Sequence, residues 1–582
     1  MPLVRCLGCL ALRKSVVVGP HKQVAVAHAT HHPNLHPCKI GKRRMSSLSW
    51  IPPEGYDTGI TIYNSACRAK VPLVTIYPGL LSWYSCGPTV YDSAHIGHAL
   101  CYVKFDIIRR VLSRLFDLNV VMVMGVTDID DKIINRAREL NIDFREIAKF
   151  YEEEFFADMD KLKVLRPSLA PRVTEHVPHI ISFTQDIINN NMAYAVSDGS
   201  VYFDTVVYGR YGKMSILDES VDMQGAGIKK SARDFALWKG VKPGEPYWDS
   251  PWGRGRPGWH IECSAMANHI LGPKLDLHSG GIDLLFPHHE NEEAQCCAHS
   301  GSHQWCNYWL HTGHLHAKDA EKMSKSLRNT ISVSELLEEH SVNTFRLFCL
   351  LSHYRSKVDY TQTSMLQAKA HLRRIRSFLQ DAYAYINGQL RCGPLDEAGL
   401  KQKLAETRIQ VKKYLSDDMD TARAVYAVLD LIAQGNKELH SKPTSMSLSR
   451  SAGTMVAICS YIHFLMEDCF GISFAGLRDA SNVSLESSGR LSHVMNSVVT
   501  FRREVRSFAL LQDSHSEQKI ADTHDKKQKQ KERLPLLLAC DSLREDLQKS
   551  GLLIKDHKES SSWSVSDGSV GKDEKVKEKK KA

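Results

Sequence analysis

A short apolar run from Leu80 to Tyr84 meets a Gly87-Pro88 break and then a helical pattern, with Ile96, Leu100, Val103, Ile107 and Val111 on one face. This strand-to-helix handover constrains the chain more than any other stretch. It sets His95-Ile96-Gly97-His98 at a helix start. Unpaired backbone N–H groups and the positive end of the helix dipole there favour an anion. Two imidazoles at that point can hydrogen-bond a phosphate, and Gly97 leaves room for a flat base against the backbone.

Leu73 to Tyr77 also reads as extended. Asn119 to Val126 is a continuous apolar run, which suits a central parallel strand. It ends in Thr127, where open α/β sheets place ligands, and Asp130 and Asp131 offer capping chemistry for the helix beyond. Strand alternating with helix predicts an α/β fold built on a Rossmann-type parallel sheet. From about 161 to 252 the rhythm breaks: Val201-Tyr202-Phe203 alternates, and Gly225 and Gly227 mark turns. That span reads as an insertion between the two halves of the sheet.

The second half resumes at Gly258 and runs to Lys322-Met323-Ser324-Lys325-Ser326, a basic polar loop ahead of another helical pattern. From Phe345 the periodicity is helical, with a Ser/Pro/Thr-rich break from Ser441 to Ser451. The expected division is therefore a catalytic α/β domain over 49–344, an α-helical bundle over 345–480 and a small C-terminal module within 481–582. Asp513 to Arg533 is charged and lacks apolar periodicity, so it reads as a loop or a solvated helix. The basic tail Lys572–Lys581 is disordered on composition.

The net charge of +9 is concentrated at the start of the chain. No acidic residue precedes Glu54, while Arg5, Arg13, Lys14, Lys22, Lys39, Lys42, Arg43 and Arg44 do; without these eight, 67 basic residues face 66 acidic ones. Bulk charge thus gives no argument for nucleic acid. The acid-free start, with Ser46, Ser47 and Ser49 near its end, gives segment 1–48 the composition of a mitochondrial transit peptide. Its rival, a secretory signal, has an apolar core from Cys6 to Leu12 that Arg13-Lys14 cuts short. No apolar run approaches the roughly 18 residues of a membrane span, so no membrane partner is expected. Fifteen scattered cysteines form no disulfide framework, and Cys6-x-x-Cys9 falls in the segment expected to be removed.

A metal-binding set is also in view. Cys86 lies just before the histidine pair, Gly258-Trp259-His260-Ile261-Glu262-Cys263 opens a helical stretch, Gly280-Gly281-Ile282-Asp283 is a glycine turn, and Pro287 to Glu292 opens another helix. His288 and Glu292 are four apart and share a helix face. Cys86, Cys263, His288 and Glu292 would supply two sulfurs, an imidazole and a carboxylate, a donor set suited to zinc. From the residues alone, the cysteines serve equally as small buried side chains. The His289-Glu290 pair suggests a metalloprotease helix, but Glu293 stands where its second histidine belongs, and that reading fails.

His95–His98 and Lys322–Ser326, in this order, resemble the paired signature of class I aminoacyl-tRNA synthetases. Within that class, Cys86, the Gly-Trp-His-Ile-Glu-Cys string and Phe286-Pro287-His288-His289-Glu290-Asn291-Glu292 are similar to cysteinyl-tRNA synthetases. The resemblance is specific from about Thr75 to Tyr360 and returns at Leu552–Asp556 and Trp563. With the transit-like start, it implies a form working in the mitochondrial matrix. It implies ATP-dependent ligation of L-cysteine to tRNA(Cys) through a cysteinyl-adenylate. His95, Gly97, His98 and Gly281 would then bind ATP, with Mg2+ accompanying it, and Lys322 and Lys325 would act with the two histidines in catalysis.

The resemblance further implies that Gly87, Thr127, Trp259, His288 and Asp283 line the cysteine pocket. One zinc ion per subunit would be held by Cys86, Cys263, His288 and Glu292. The helical region and Trp563 would meet the tRNA, with a plain core role for Trp563 equally open. A secondary synthesis of cysteine persulfide with pyridoxal phosphate on Lys132, Lys322 or Lys325 is also implied, although Asn135 replaces a lysine expected there. Two competitors are a tRNA-independent cysteine ligase, opposed by the long helical portion, and an inactive RNA-binding paralogue, opposed by the intact signature and donor residues.

Overall fold

The computed structural model describes residues 50–214, 227–316, 330–390, 392–441, 452–474, 485–510, 523–556 and 561–565. The segment 1–48, Gly225, the loop Lys322–Ser326 and the tail from Lys572 lie outside the described residues. Strands β1 (Tyr56–Asn64) and β2 (Ala69–Thr75) pair antiparallel ahead of the main sheet. The run expected at 73–77 is therefore the end of β2, in a sheet of its own.

Next come β3 (Leu80–Thr89), α1 (Ile96–Arg114) and β4 (Asn119–Thr127). β3 does not stop at Tyr84. It continues through Gly87-Pro88 with a shift of register between Cys86 and Thr89. A Cβ on Gly87 would sit 2.2 Å from the Gly125 carbonyl oxygen, so the glycine keeps the strands in contact through the irregularity.

After α2 (Asp131–Leu140), α3 (Phe144–Lys161) and α4 (Val177–Asn189) come β5 (Ala193–Ala195), β6 (Val201–Phe203), α5 (Thr205–Tyr208), β7 (Phe235–Gly240) and β8 (Gly255–Pro257). These four strands make an antiparallel sheet in sequential order. The parallel rhythm resumes with α6 (Trp259–Leu271), β9 (Leu275–Gly281), α7 (Glu290–Ser300) and β10 (Cys306–Thr312). The main sheet is four-stranded and parallel, ordered β10-β9-β3-β4.

β4 was expected at the centre and lies at an edge instead. That edge is covered, because Met124 and Val126 donate backbone hydrogen bonds to the carbonyls of Leu169 and Pro171 at 3.0 and 2.8 Å. An edge closed in this way explains why β4 is apolar on both faces.

The remaining elements are β11 (Leu315–His316), α8 (Val333–Glu339), α9 (Val342–Leu350), β12 (Val358–Asp359), α10 (Gln362–Ile386), α11 (Glu397–Ser416), α12 (Thr421–Leu439) and α13 (Ala452–His463). They are followed by α14 (Leu485–Ala509), α15 (Thr523–Lys549) and the hairpin of β13 (Leu552–Asp556) and β14 (Ser561–Val565). The charged run to Arg533 thus includes the first turns of α15. No described helix is long and apolar enough to cross a membrane.

One buried guanidinium joins the sheet region to the helices. Arg346 on α9 pairs with Asp106 on α1 and donates to the carbonyls of Phe470, Leu162 and Lys163 at 2.9, 3.0 and 3.2 Å. The C-terminal hairpin is tied to α10 by Lys555 and Asp381, 2.6 Å apart. Trp563 is half-buried and donates from its indole N–H to Asn496 at 2.9 Å.

Candidate active site and metal centre

The predicted site residues among those described gather at the carboxyl ends of β3, β4 and β9, where parallel sheets leave a crevice. At the first of these, α1 is capped by its own signature. His95 is the N-cap, and its Nδ1 accepts from the N–H groups of Gly97 and His98 at 3.1 and 3.4 Å. His98 Nδ1 accepts in return from the His95 N–H at 3.4 Å, a reciprocal capping box made of two imidazoles. Two of the N–H groups expected to face an anion are therefore occupied by the His95 ring. The rings stack with centroids 3.8 Å apart. A Cβ on Gly97 would lie 2.9 Å from the His95 ring, so the stacking itself calls for glycine there.

Lys322 and Lys325 lie outside the described residues, but both flanks of their loop are anchored. Beyond it, the Ile96 N–H donates to the Ile331 carbonyl at 2.9 Å, and Val333 N–H donates to Ala94 at 3.3 Å. Before it, β11 runs parallel to β12, with Tyr360 N–H donating to His316 at 2.9 Å. The chain leaves that loop directly beside His95.

Cys86 on β3, Cys263 on α6, His288 just ahead of α7 and Glu292 in the first turn of α7 converge, all buried. One ligand atom from each lies within 4.8 Å of the others. Cys86 Sγ is 4.0 Å from Cys263 Sγ and 3.6 Å from Glu292 Oε1, and His288 Nε2 is 3.0 Å from Glu292 Oε1. The hydrogen bond with Cys86 brings the Cys263 thiol down to about 6, while burial pushes Cys86 well up. Burial works against charge on both His288 and Glu292. The carboxylate still raises His288 to about 10, and His278 and His288 hold Glu292 at about 2. Two sulfurs, a carboxylate and an imidazole are thus confined together in a buried pocket. Such donors bind a cation in exchange for protons.

Around this set stand further histidines, two of which, His278 and His311, sequence reasoning missed. His278 on β9 contacts Glu292 Oε2 at 2.9 Å, and His260 Nδ1 lies 2.8 Å from His288 Nδ1. His289 Nε2 is 3.4 Å from Cys86 Sγ; its Nδ1 is 2.7 Å from His311, which in turn reaches Ser65 Oγ at 2.8 Å. Cys86, His278, His289 and Glu292 form a second set meeting the same 4.8 Å spacing. Lone histidines in strands carry no local signal; an apolar strand holding a histidine beside a glycine turn, as in His278-Ser279-Gly280-Gly281, was the available hint.

The expected substrate residues divide. The Trp259 ring lies 4.4 Å from the His288 ring and is 38% exposed, so it stands between the donor set and the surface. Thr127 is buried and donates to Glu262 at 3.3 Å, the neighbour of Cys263. Asp283 lies beside Gly281 and 3.4 Å from His314, at the end of β9. Asp130 caps α2 through the Lys132 N–H at 2.9 Å, and Lys132 itself stands over the Tyr91 ring at 5.3 Å. Tyr84, which no motif marked, is buried beside Cys263 and Cys86. A Cβ on Gly125 would meet its hydroxyl at 2.1 Å.

A family model described as the tRNA synthetases class I (C) catalytic domain matches residues 72–370. The chain is 50% identical over 528 residues to a probable mitochondrial cysteine–tRNA ligase of Xenopus tropicalis, covering 89% of this chain and 91% of that one. It is 40% identical over 505 residues to the cytoplasmic cysteine–tRNA ligase of Dictyostelium discoideum, covering 81% and 75%. Among solved structures, Mycobacterium tuberculosis methionyl-tRNA synthetase in complex with methionyl-adenylate aligns with a TM-score of 0.50 at 14% identity, covering 71% of this chain and 96% of that one. At that identity the likeness concerns the fold, a class I Rossmann-type sheet. With relatives matched at this identity over most of their length, and a catalytic-domain model spanning both signatures, the chain belongs to the cysteine–tRNA ligase family of class I aminoacyl-tRNA synthetases.

Proposed function

We propose that this chain ligates L-cysteine to tRNA(Cys) in the mitochondrial matrix, in two steps. First, a carboxylate oxygen of cysteine attacks the α-phosphorus of Mg·ATP, and the bond to pyrophosphate breaks. A terminal ribose hydroxyl of the tRNA then attacks the acyl carbon and AMP leaves. The observation that carries this reading is the buried Cys86, Cys263, His288 and Glu292 set beside the imidazole-capped start of α1. The matrix location is supported by the acid-free start and by the mitochondrial relative at 50% identity.

The first step is positioning with charge stabilisation. His95 and His98 contact the triphosphate at the head of α1, with Gly97 and Gly281 beside the nucleotide. Lys325, and Lys322 less directly, neutralise the charge that gathers on departing pyrophosphate. Gly87, Thr127 and Asp283 line the amino-acid pocket, and Trp259 closes it over His288.

Zinc suits the donor set: two sulfurs, an imidazole and a carboxylate, all buried, lie within 4.8 Å of one another and would hold the ion. When bound, zinc supplies a soft acceptor for the substrate's sulfur. Shape alone separates cysteine from near-isosteric serine by only about 10²-fold. A cysteine thiol, with a free pKa near 8.5, is ionised far more readily than a serine hydroxyl, so sulfur preference adds the rest. On this reading residues 1–48 direct import, 49–344 perform the chemistry, 345–480 meet the tRNA, and 481–582 extend towards the anticodon.

Pyrophosphate exchange with cysteine and with serine, and metal content on the same preparation, tests the proposal. Exchange with cysteine alone, lost when zinc is removed and regained on its return, is expected. Equal exchange with serine, or full activity after zinc removal, overturns it.

A further inference from the structure

Immediately after α5, residues Arg210 to Met214 lie as a strap across α7 and the turn that follows it. Each of the five is bonded there. Arg210 Nη1 donates to the Ser302 carbonyl at 3.2 Å, and the Tyr211 hydroxyl donates to Asn291 Oδ1 at 2.6 Å. The N–H groups of Gly212 and Lys213 donate to Glu290 Oε1 at 2.7 and 3.1 Å, and that of Met214 to Oε2 at 2.6 Å. Lys213 Nζ lies 3.1 Å from Glu293 Oε1 and donates to the His303 carbonyl at 2.5 Å. Glu293 also accepts from the N–H groups of Trp305 and Cys306 at 3.3 and 3.2 Å.

The residues gripped are Glu290, Asn291 and Glu293, which surround the donor Glu292 within one helical turn. Glu290 and Glu293 are 1% and 2% exposed, and the Lys213 side chain 9%. Buried carboxylates held by several donors cannot swing without leaving N–H groups unpaired in a dry interior. Rotation of the first turn of α7 is therefore fixed from its outer side. That rotation decides whether Glu292 and His288 face Cys86 and Cys263.

On the reading that those four residues hold the metal, we infer that the strap is a positioning device for the metal-binding turn, with Glu290 and Lys213 as its positioning residues. The span that interrupts the parallel sheet thereby acts on the amino-acid pocket without supplying a donor to it. Groups that orient metal ligands change metal affinity by about 10–100-fold when removed.

The test compares Glu290→Gln, Lys213→Met and Cys263→Ser in the full-length protein. Zinc affinity is measured by competition with a chromophoric chelator, with the KM for cysteine, kcat in pyrophosphate exchange and thermal melting alongside. Glu290→Gln and Lys213→Met are each expected to weaken zinc binding about 10–100-fold and to raise the KM for cysteine more than they lower kcat. Lys213→Arg, which keeps the charge, should recover most of the affinity. Should Glu290→Gln fail to fold, Lys213→Met and Tyr211→Phe carry the comparison. Folded strap variants with wild-type zinc affinity, beside a Cys263→Ser protein that has lost zinc, overturn the positioning role alone. Zinc retained by Cys263→Ser overturns the metal reading itself.

Discussion

Lys104 on α1 is 2% exposed, and its ammonium donates to the carbonyls of His353 and Tyr354 at 3.0 and 3.5 Å. Carbonyls offset only part of the cost of burying a full charge, and burial pulls its pKa from 10.5 to about 8. For a base shifted downward, the unfolded chain keeps its proton to higher pH than the folded one. Between pH 8 and 10.5 the unfolded state therefore binds more protons, and folding is favoured as the pH rises through that window. At pH 7 the folded protein carries the charge at a cost of roughly 3 kcal/mol against a neutral side chain.

Lys104→Met removes that cost and loses a charge-assisted hydrogen bond of about 1.5–3 kcal/mol, so the variant should be about as stable as wild type at pH 7, or up to about 2 kcal/mol more so. The pH dependence is the sharper test. Raising the pH to 9.5 relieves the wild type of roughly 2 kcal/mol that the variant never bore. Urea unfolding of both proteins at pH 7.0 and 9.5 measures the difference. A stability difference that stays constant between the two values refutes the reasoning. The same ammonium joins α1 to the loop whose Tyr354 and Arg355 bind buried Asp418 at 2.7 and 2.9 Å, so the variant should also form adenylate more slowly.

Lys325→Ala should lower single-turnover adenylate formation by about 10²-fold while the dissociation constant for cysteine stays within about twofold; a rate near wild type removes the lysine from the chemistry. His95→Ala loses the reciprocal cap and about 1 kcal/mol of stability, whereas His95→Asn keeps a capping oxygen. Melting should recover in the asparagine variant and adenylate formation should not, which separates the two roles of the ring. Arg346→Met leaves Asp106 buried with Arg110 Nε and the Leu165 N–H, each at 2.8 Å, so the loss should be near the low end of the 3–5 kcal/mol typical of a broken buried pair, about 3 kcal/mol in urea unfolding. Adding Asp106→Asn should return part of it.

Local periodicity made β3, α1 and the helices after Phe345 legible, because a change from continuous apolar residues to a 3.6-residue spacing reports on neighbours in sequence. It could not tell an edge from a centre. β4 looks central since its outer edge is covered by the chain at 168–172, a contact no periodicity encodes. The donor set was half legible for the same reason. His288 and Glu292 share a helix face by spacing, but Cys86 and Cys263 are 177 residues apart, and from the residues alone they serve equally as small buried side chains. His311, a single histidine in an apolar strand, had nothing nearby in sequence to mark it, and His278 had only the glycine turn that follows it.

Polar residues were least legible, because their role depends on what the fold sets opposite them. Asp130 and Asp131 share the same local context and both read as helix-start acids. Asp130 caps α2, while Asp131 reaches across to Lys239 on β7 at 2.7 Å and to Arg256 on β8, binding the antiparallel sheet to the start of α2. Those two cations hold Asp131 below the usual carboxylate range despite its partial burial. Next to Cys263, Glu262 is as acidic in sequence as either, yet it is sealed against Thr127 and burial pushes its pKa well up. Adjacent or similar carboxylates thus become a cap, an ion-pair strut and a buried core group. For Asp131 and Glu262 the choice is made by elements that the chain brings in from more than 100 residues away.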